Sequence, residues 1–117
     1  MLGRPITVVE VEPFPCLAAR IWSDDERLEF IDFIAWHADA GDVVPGLSGI
    51  RKIRWRRGGT GKRGGVRVIY FFYDDKLPVY LLRVYAKSER SDLSPEEKKL
   101  LRPFAEGLKR LRKGKVQ

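Results

Sequence analysis

The chain of 117 residues has one cysteine, one histidine and one methionine. A lone thiol, Cys16, cannot close an internal disulfide or build a cysteine-based zinc site. It is expected to be a small buried or half-buried apolar residue, as free cysteines usually are. The one imidazole, His37, sits in an acid-rich segment of helical pattern, and no nucleophile elbow accompanies it, so Ser-His-Asp catalysis is set aside. No Cys/His cluster offers a transition-metal site, and neither a metal nor a cofactor is expected. No apolar run approaches the ~20 residues that a membrane helix needs. The first residues, MLGRPITVVEVEPF, lack the long apolar core and small-residue cleavage site of a secretion signal, so a cytoplasmic protein with no membrane partner is expected. Neither a repeat nor a linker interrupts the chain, and its length suits one domain spanning residues 1–117.

A second absence is local. From Arg51 to Arg67 there is no acid, against eight Lys/Arg residues. The whole chain carries a net charge of +7 and a pI near 9.8. The acids lie elsewhere: Asp24 to Asp42 contains seven of them and one base, Arg27. One pole is therefore acidic and the other strongly basic. Like charge concentrated against its own repulsion points to an anionic partner.

The elements follow from pattern. Ile6–Val11 is β-branched, short and bounded by Pro5 and Pro13, which predicts an edge strand. A short helix over Cys16–Trp22 is possible. Ser23-Asp-Asp-Glu26 is a capping box, and Leu28, Ile31, Ile34, Ala35 and Ala38 follow at helical spacing, so a helix is expected to end near Ala40 with Gly41 as its cap. Asp42–Gly49 reads as a loop turning at Pro45-Gly46. Ile50–Arg57, Val66–Tyr73 and Val79–Ala86 read as an antiparallel meander. Ser94-Pro95-Glu96-Glu97 starts a last helix, whose apolar stripe runs through Leu100, Leu101, Phe104, Leu108 and Leu111. Pro103 is expected to kink or loosen it, and the tail from Lys109 to fray. The fold class is α+β: N-terminal helices packed on an antiparallel sheet of about four strands, with a C-terminal helix.

Chemistry concentrates on the meander. Gly61-Lys62 is not a phosphate-binding P-loop, since Arg63 stands where Ser/Thr belongs and a strand follows. Alternation puts Lys52, Arg54 and Arg56 on one strand face, with Ile53 and Trp55 on the other. Arg67 and Arg83 come from the next two strands, and Lys87 ends the last. Converging, they would form a groove for a phosphodiester, with Lys62 and Arg63 steering RNA from the loop tip. A basic strand on a solvated face explains the same composition, and composition does not choose between the two.

The run GIRKIRWRRGGTGKRGGVRVIYFFY, followed by LLRVYAKSERSDLSPEEKKLL, resembles the RelE/HigB superfamily of toxins from type II toxin–antitoxin modules, most closely its HigB-like branch. The resemblance spans roughly Asp24 to Leu108. It implies a ribosome-dependent mRNA endonuclease that uses the RNA 2′-OH as nucleophile and needs no metal. The family's basic positions carry over at Lys52, Arg54, Arg56 and Arg67, and more loosely at Lys87 and Arg90. Together with the reading of the hairpin, the expected catalytic residues are Lys52, Arg54, Arg67 and Lys87, and the expected RNA contacts are Arg51, Arg56, Arg57, Lys62, Arg63, Arg83 and Arg90. Lys52, crowded by arginines, would work as a general base, with Arg67 on the scissile phosphate and Lys87 as acid or phosphate clamp. The implied partners are mRNA on the ribosome and a cognate antitoxin, expected to be a helix-turn-helix protein, with a homodimer or a toxin–antitoxin hetero-oligomer as the assembly. One departure stands out: RelE proper carries a tyrosine and a further arginine where this chain has Ser94 and Ser88, and Ser94 reads as a helix cap. A non-catalytic module that binds RNA, ribosome or antitoxin is the alternative.

Overall fold

The computed structural model describes residues 3–57 and 65–114. In chain order the elements are β1 (Val8–Glu10), α1 (Phe14–Ala19), α2 (Asp24–Trp36), β2 (Asp42–Val43), β3 (Ile50–Trp55), β4 (Val66–Phe71), β5 (Val79–Ala86) and α3 (Pro95–Gly114). The strands form one sheet in the order β1-β5-β4-β3-β2. Only β1 runs parallel to its neighbour; the other pairs are antiparallel. The expected α+β architecture holds, with five strands rather than four. The additional strand, β2, lies in the stretch read as loop, where Asp42 and Val43 pair with Lys52 and Arg51.

Both faces of the sheet are covered, which is why β4 and β5 are apolar on both sides. Val66, Val68 and Tyr70 of β4 pack with Phe14, Phe30 and Ile34 under α1 and α2. Ile69 and Phe71 pack with Leu82, Leu101 and Ala105 under α3. Each fully buried Phe, Ile or Leu here contributes roughly 1.5–3 kcal/mol of transfer free energy. Strand alternation sends Ile53 and Trp55 to the α2 side, where Trp55 meets Phe30 edge-on at 5.2 Å and Phe33 at 4.8 Å. One irregularity re-aims a side chain. Ile69 faces Arg83 while Tyr70 faces Leu81, so Leu82 is the extra residue of a β-bulge. Leu82 and Arg83 consequently both turn to the α3 side.

The helix starts follow the sequence. Ser23 Oγ accepts the Glu26 N–H at 3.2 Å, and the Ser23 N–H donates to Glu26 Oε1 at 2.8 Å. Ser94 and Glu97 repeat the arrangement at α3. The helix ends do not all follow it. α2 stops at Trp36, not near Ala40, and His37 caps it while stacking on Phe33. Gly41 is therefore no helix cap. A Cβ on it would stand 2.8 Å from Tyr70 Oη and 3.0 Å from the Lys52 carbonyl, so glycine is required by close approach. Its N–H donates to Tyr70 Oη at 2.8 Å, and that hydroxyl donates to the Ala38 carbonyl at 2.8 Å. Burial pushes the Tyr70 phenol up to about 12. α3 continues through Pro103 to Gly114, beyond the expected start of fraying at Lys109. Cys16 is exposed rather than buried, because α1 turns Phe14 and Ala18 inward instead. Among the described residues no helix is long and apolar enough to cross a membrane.

Candidate functional site

The register of the meander assembles a basic row. On the α3 side of the sheet, Arg54 of β3 lies opposite Arg67 of β4, and Arg67 lies opposite Tyr85 of β5. Neighbouring strands are about 4.8 Å apart, so the row spans about 10 Å. Like charges directly opposite each other on a sheet destabilise it. Arg54 is exposed and Arg67 half-buried, and among the described residues neither forms an ion pair. Arg67 Nη1 reaches only the Val66 carbonyl, at 3.5 Å. Two guanidiniums facing each other without a carboxylate are suited to a shared anion.

Around the row stands a frame from the β5–α3 connection. Lys52, on the same face, has its Nζ 3.9 Å from Asp92 Oδ1. The Asp92 carboxylate is held below its usual range by the Leu93 N–H and by Lys98. Arg90 lies over the Tyr85 ring at 4.7 Å and grips Glu97 with two bonds, at 2.7 and 3.0 Å. Glu97 also accepts from Arg83 Nε at 3.3 Å and from the Ser94 N–H at 2.8 Å. Its carboxyl is pulled down to about 2, first by the Arg90 bonds. Tyr85 is only 4% exposed, and burial raises its phenol. It is a protonated floor under Arg90 rather than a group facing an incoming ligand.

The remaining candidates divide. Lys87 is exposed in the turn after β5, its N–H donating to the Gly65 carbonyl at 3.2 Å. Arg57 is half-exposed at the end of the described part of the β3–β4 connection, and Lys62 and Arg63 lie outside the described residues. Arg51 has the other parity and turns to the α2 side, where its Nη1 donates to the Gly41 carbonyl at 2.7 Å. Arg56 does not share the face of Lys52 and Arg54. β3 ends at Trp55, and beyond it Arg56 stacks on Trp55 and pairs with Glu29 of α2 at 2.9 Å. Arg83 is 9% exposed and committed to Glu97 and the Leu82 carbonyl, so it is part of the frame rather than the open surface. Asp92, Glu97 and Tyr85 were missed as site residues. The capping box flagged Glu97, but nothing local indicates that the same carboxylate reaches Arg83 and Arg90. Among the described residues no three His, Cys, Asp or Glu side chains gather to hold a metal.

Comparison with known proteins adds the family. The chain resembles the solved structure of Escherichia coli toxin RelE, an arginine mutant in the free state, with a TM-score of 0.53 and 18% identity over 74% of this chain and 87% of that one. It also resembles the toxin–antitoxin complex RelBE2 from Mycobacterium tuberculosis, with a TM-score of 0.48 and 19% identity over 78% and 98%. At 18% identity the likeness to Escherichia coli RelE is one of fold. The family model described as the RelE toxin of the RelE/RelB toxin–antitoxin system matches residues 37–117, which takes in the meander, the basic row and α3. With well over half of its length inside that match, the chain belongs to the RelE toxin family.

Proposed function

We propose that the protein is an endoribonuclease toxin that cleaves mRNA on the ribosome and is neutralised by a cognate antitoxin, with the row Arg54–Arg67 and the adjoining Lys52 as its phosphate site. The observation that carries this reading is the facing pair of arginines without a carboxylate partner among the described residues. In the proposed reaction the 2′-OH attacks the neighbouring phosphorus and the bond to the 5′-oxygen breaks. The products are a 2′,3′-cyclic phosphate and a 5′-hydroxyl end. The attacking hydroxyl loses a proton and the leaving oxygen gains one. Arg67 and Arg54 stabilise the charge that builds on the phosphoryl oxygens. Lys52 and the exposed Lys87 are the candidates for moving the protons. Arg90, held on Glu97 and Tyr85, positions this frame. Because the nucleophile belongs to the RNA, the step calls for no metal. A helix-turn-helix antitoxin remains the expected neutralising partner.

Purified protein added to ribosomes translating a defined mRNA is expected to cut it, in the presence of a chelator, leaving 5′-hydroxyl ends. A single 2′-deoxy nucleotide at the cut position should block the cut. Lys52→Ala and Arg67→Ala should each lose cleavage and growth arrest. Full toxicity in both variants would place the chemistry elsewhere. Salt-sensitive ribosome binding without any cut RNA would favour a binding module instead.

A further inference from the structure

The outer flank of α3 is unaccounted for by the basic row. Leu100 and Leu111 are 66% and 59% exposed, in a chain that buries most of its large apolar side chains. With the half-buried Phe104 and Gly107 between them, they recur at i, i+4, i+7 and i+11. That spacing makes one stripe over three turns, about 16 Å long. The stripe does not stop at the helix. Phe104 stands edge-on to Tyr80 of β5 at 5.8 Å, and Val11 and Leu77 are half-buried in the same cluster, so the apolar surface runs on towards the β1–β5 edge.

Charge selects the occupant. α3 has seven Lys/Arg residues and three acids, Glu96, Glu97 and Glu106. Glu97 is committed inward to Arg83 and Arg90, and Glu106 to Arg102, which leaves Glu96, exposed one turn before Leu100, as the one acid of α3 without an ion pair among the described residues, against Lys99, Lys109, Arg110 and Lys113. On the cationic side Lys98 is paired with Asp92 and Arg112 with Asp74. Lys99 and Arg110, which border the stripe at helical spacing, form no ion pair among the described residues. A second copy of this helix would set like charge against like, and a narrow stripe on a helix flank suits another helix better than a flat lipid surface.

We infer that this flank of α3 docks an acidic amphipathic helix of a protein partner, with the partner's apolar residues on Leu100, Phe104 and Leu111 and its carboxylates on Lys99 and Arg110. The inference deepens the toxin–antitoxin reading, on which it rests only for the expectation that such a partner exists. It places the contact away from the basic row.

The test uses the full chain and fluorescent helical peptides of about 20 residues, long enough to hold helix. One carries leucines at the spacing of the stripe with glutamates beside them, and its counterpart carries lysines instead. The glutamate peptide is expected to bind, to weaken as salt rises, and to bind the Leu100→Glu/Leu111→Glu variant at least about tenfold more weakly. The lysine peptide should not bind. Both leucines are exposed, so the variant should keep the wild-type circular dichroism; Leu111→Ser alone, with a smaller loss, serves if it does not. No binding of the glutamate peptide at about 100 µM overturns the inference. So does equal binding by the variant, or binding lost instead in Arg54→Ala/Arg67→Ala, which would put the peptide on the basic row. It also falls if the chain alone forms a dimer that Leu111→Glu dissociates, or if anionic phosphatidylglycerol vesicles capture it through the same leucines. RNA cleavage by the leucine variant should be unchanged, so failure of the nuclease reading shows separately.

Discussion

Replacing Glu97 with glutamine removes one charge from the most connected carboxylate among the described residues and spares its helix cap. Glutamine keeps an oxygen for the Ser94 N–H but cannot carry the charge that holds both Arg83 and Arg90. The Glu97 carboxyl is displaced from an ordinary 4.5 to about 2. At about 1.4 kcal/mol per pH unit, that displacement corresponds to about 3 kcal/mol of stability. The side chain is 18% exposed, so solvent screens the interaction only in part. The sign follows from the depression. The folded state prefers the ionised form, so the contribution is complete above the unfolded value near 4.5 and is lost as pH falls through about 2. Urea unfolding at neutral pH should therefore show Glu97→Gln weaker than the wild type by about 3 kcal/mol, with a melting temperature roughly 10 °C lower. In steps down to about pH 2.5 the gap should shrink to below about 1 kcal/mol, because the unfolded glutamate is by then protonated and the folded one is close to its own midpoint. A gap below about 1 kcal/mol at neutral pH, or one that persists undiminished in acid, would show that the two arginines do not depend on this charge.

Two further outcomes concern the other side of the sheet. Tyr70→Phe strands the Gly41 N–H and the Ala38 carbonyl and should cost about 1–3 kcal/mol per abandoned group in urea unfolding. An alkaline absorbance titration of the wild type should show one phenol that ionises only near 12, missing from this variant. Gly41→Ala sets a methyl against the Tyr70 hydroxyl and the Lys52 carbonyl and should cost about 1–3 kcal/mol. In the double variant the loss should be less than the sum, because the hydroxyl at 2.8 Å is gone, although the ring carbon at 2.9 Å and the Lys52 carbonyl at 3.0 Å remain.

How much of this was legible in the sequence depended on the range of the interaction. Both capping boxes, the three strands of the meander and the inward face of Ile53 and Trp55 are set by residues within a few positions of one another, and alternation or helical spacing exposes them. β2 was not legible, because a two-residue strand exists only through its pairing with Lys52 and Arg51. Gly41 looked like a helix cap, since a close approach by Tyr70, 29 residues away, leaves no local trace. In the basic row, Arg54 and Arg67 were visible as cations, but their direct opposition depends on register. Alternation carried past the end of β3 puts Arg56 on the face of Lys52 and Arg54, whereas it turns to Trp55 and Glu29. Arg83 was read as an open cation because the bulge at Leu82 and the carboxylate of Glu97 are both invisible to a pattern of period two. The acids that frame the site come from after β5, a stretch whose sequence shows only a polar connection and a helix cap.

The parallel pairing of β1 with β5 governs when the protein can come into being. Val8 is made long before its strand partner Val79. Arg67 acquires its neighbour Tyr85 only when β5 has been made, and Arg90 gains its anchor only when Glu97 has followed. A growing chain therefore has neither a closed sheet nor a framed basic row until β5 and the start of α3 have been translated. The surface described above arrives in one late event, and a chain interrupted before the start of α3 carries its cations without the carboxylate that fixes Arg83 and Arg90.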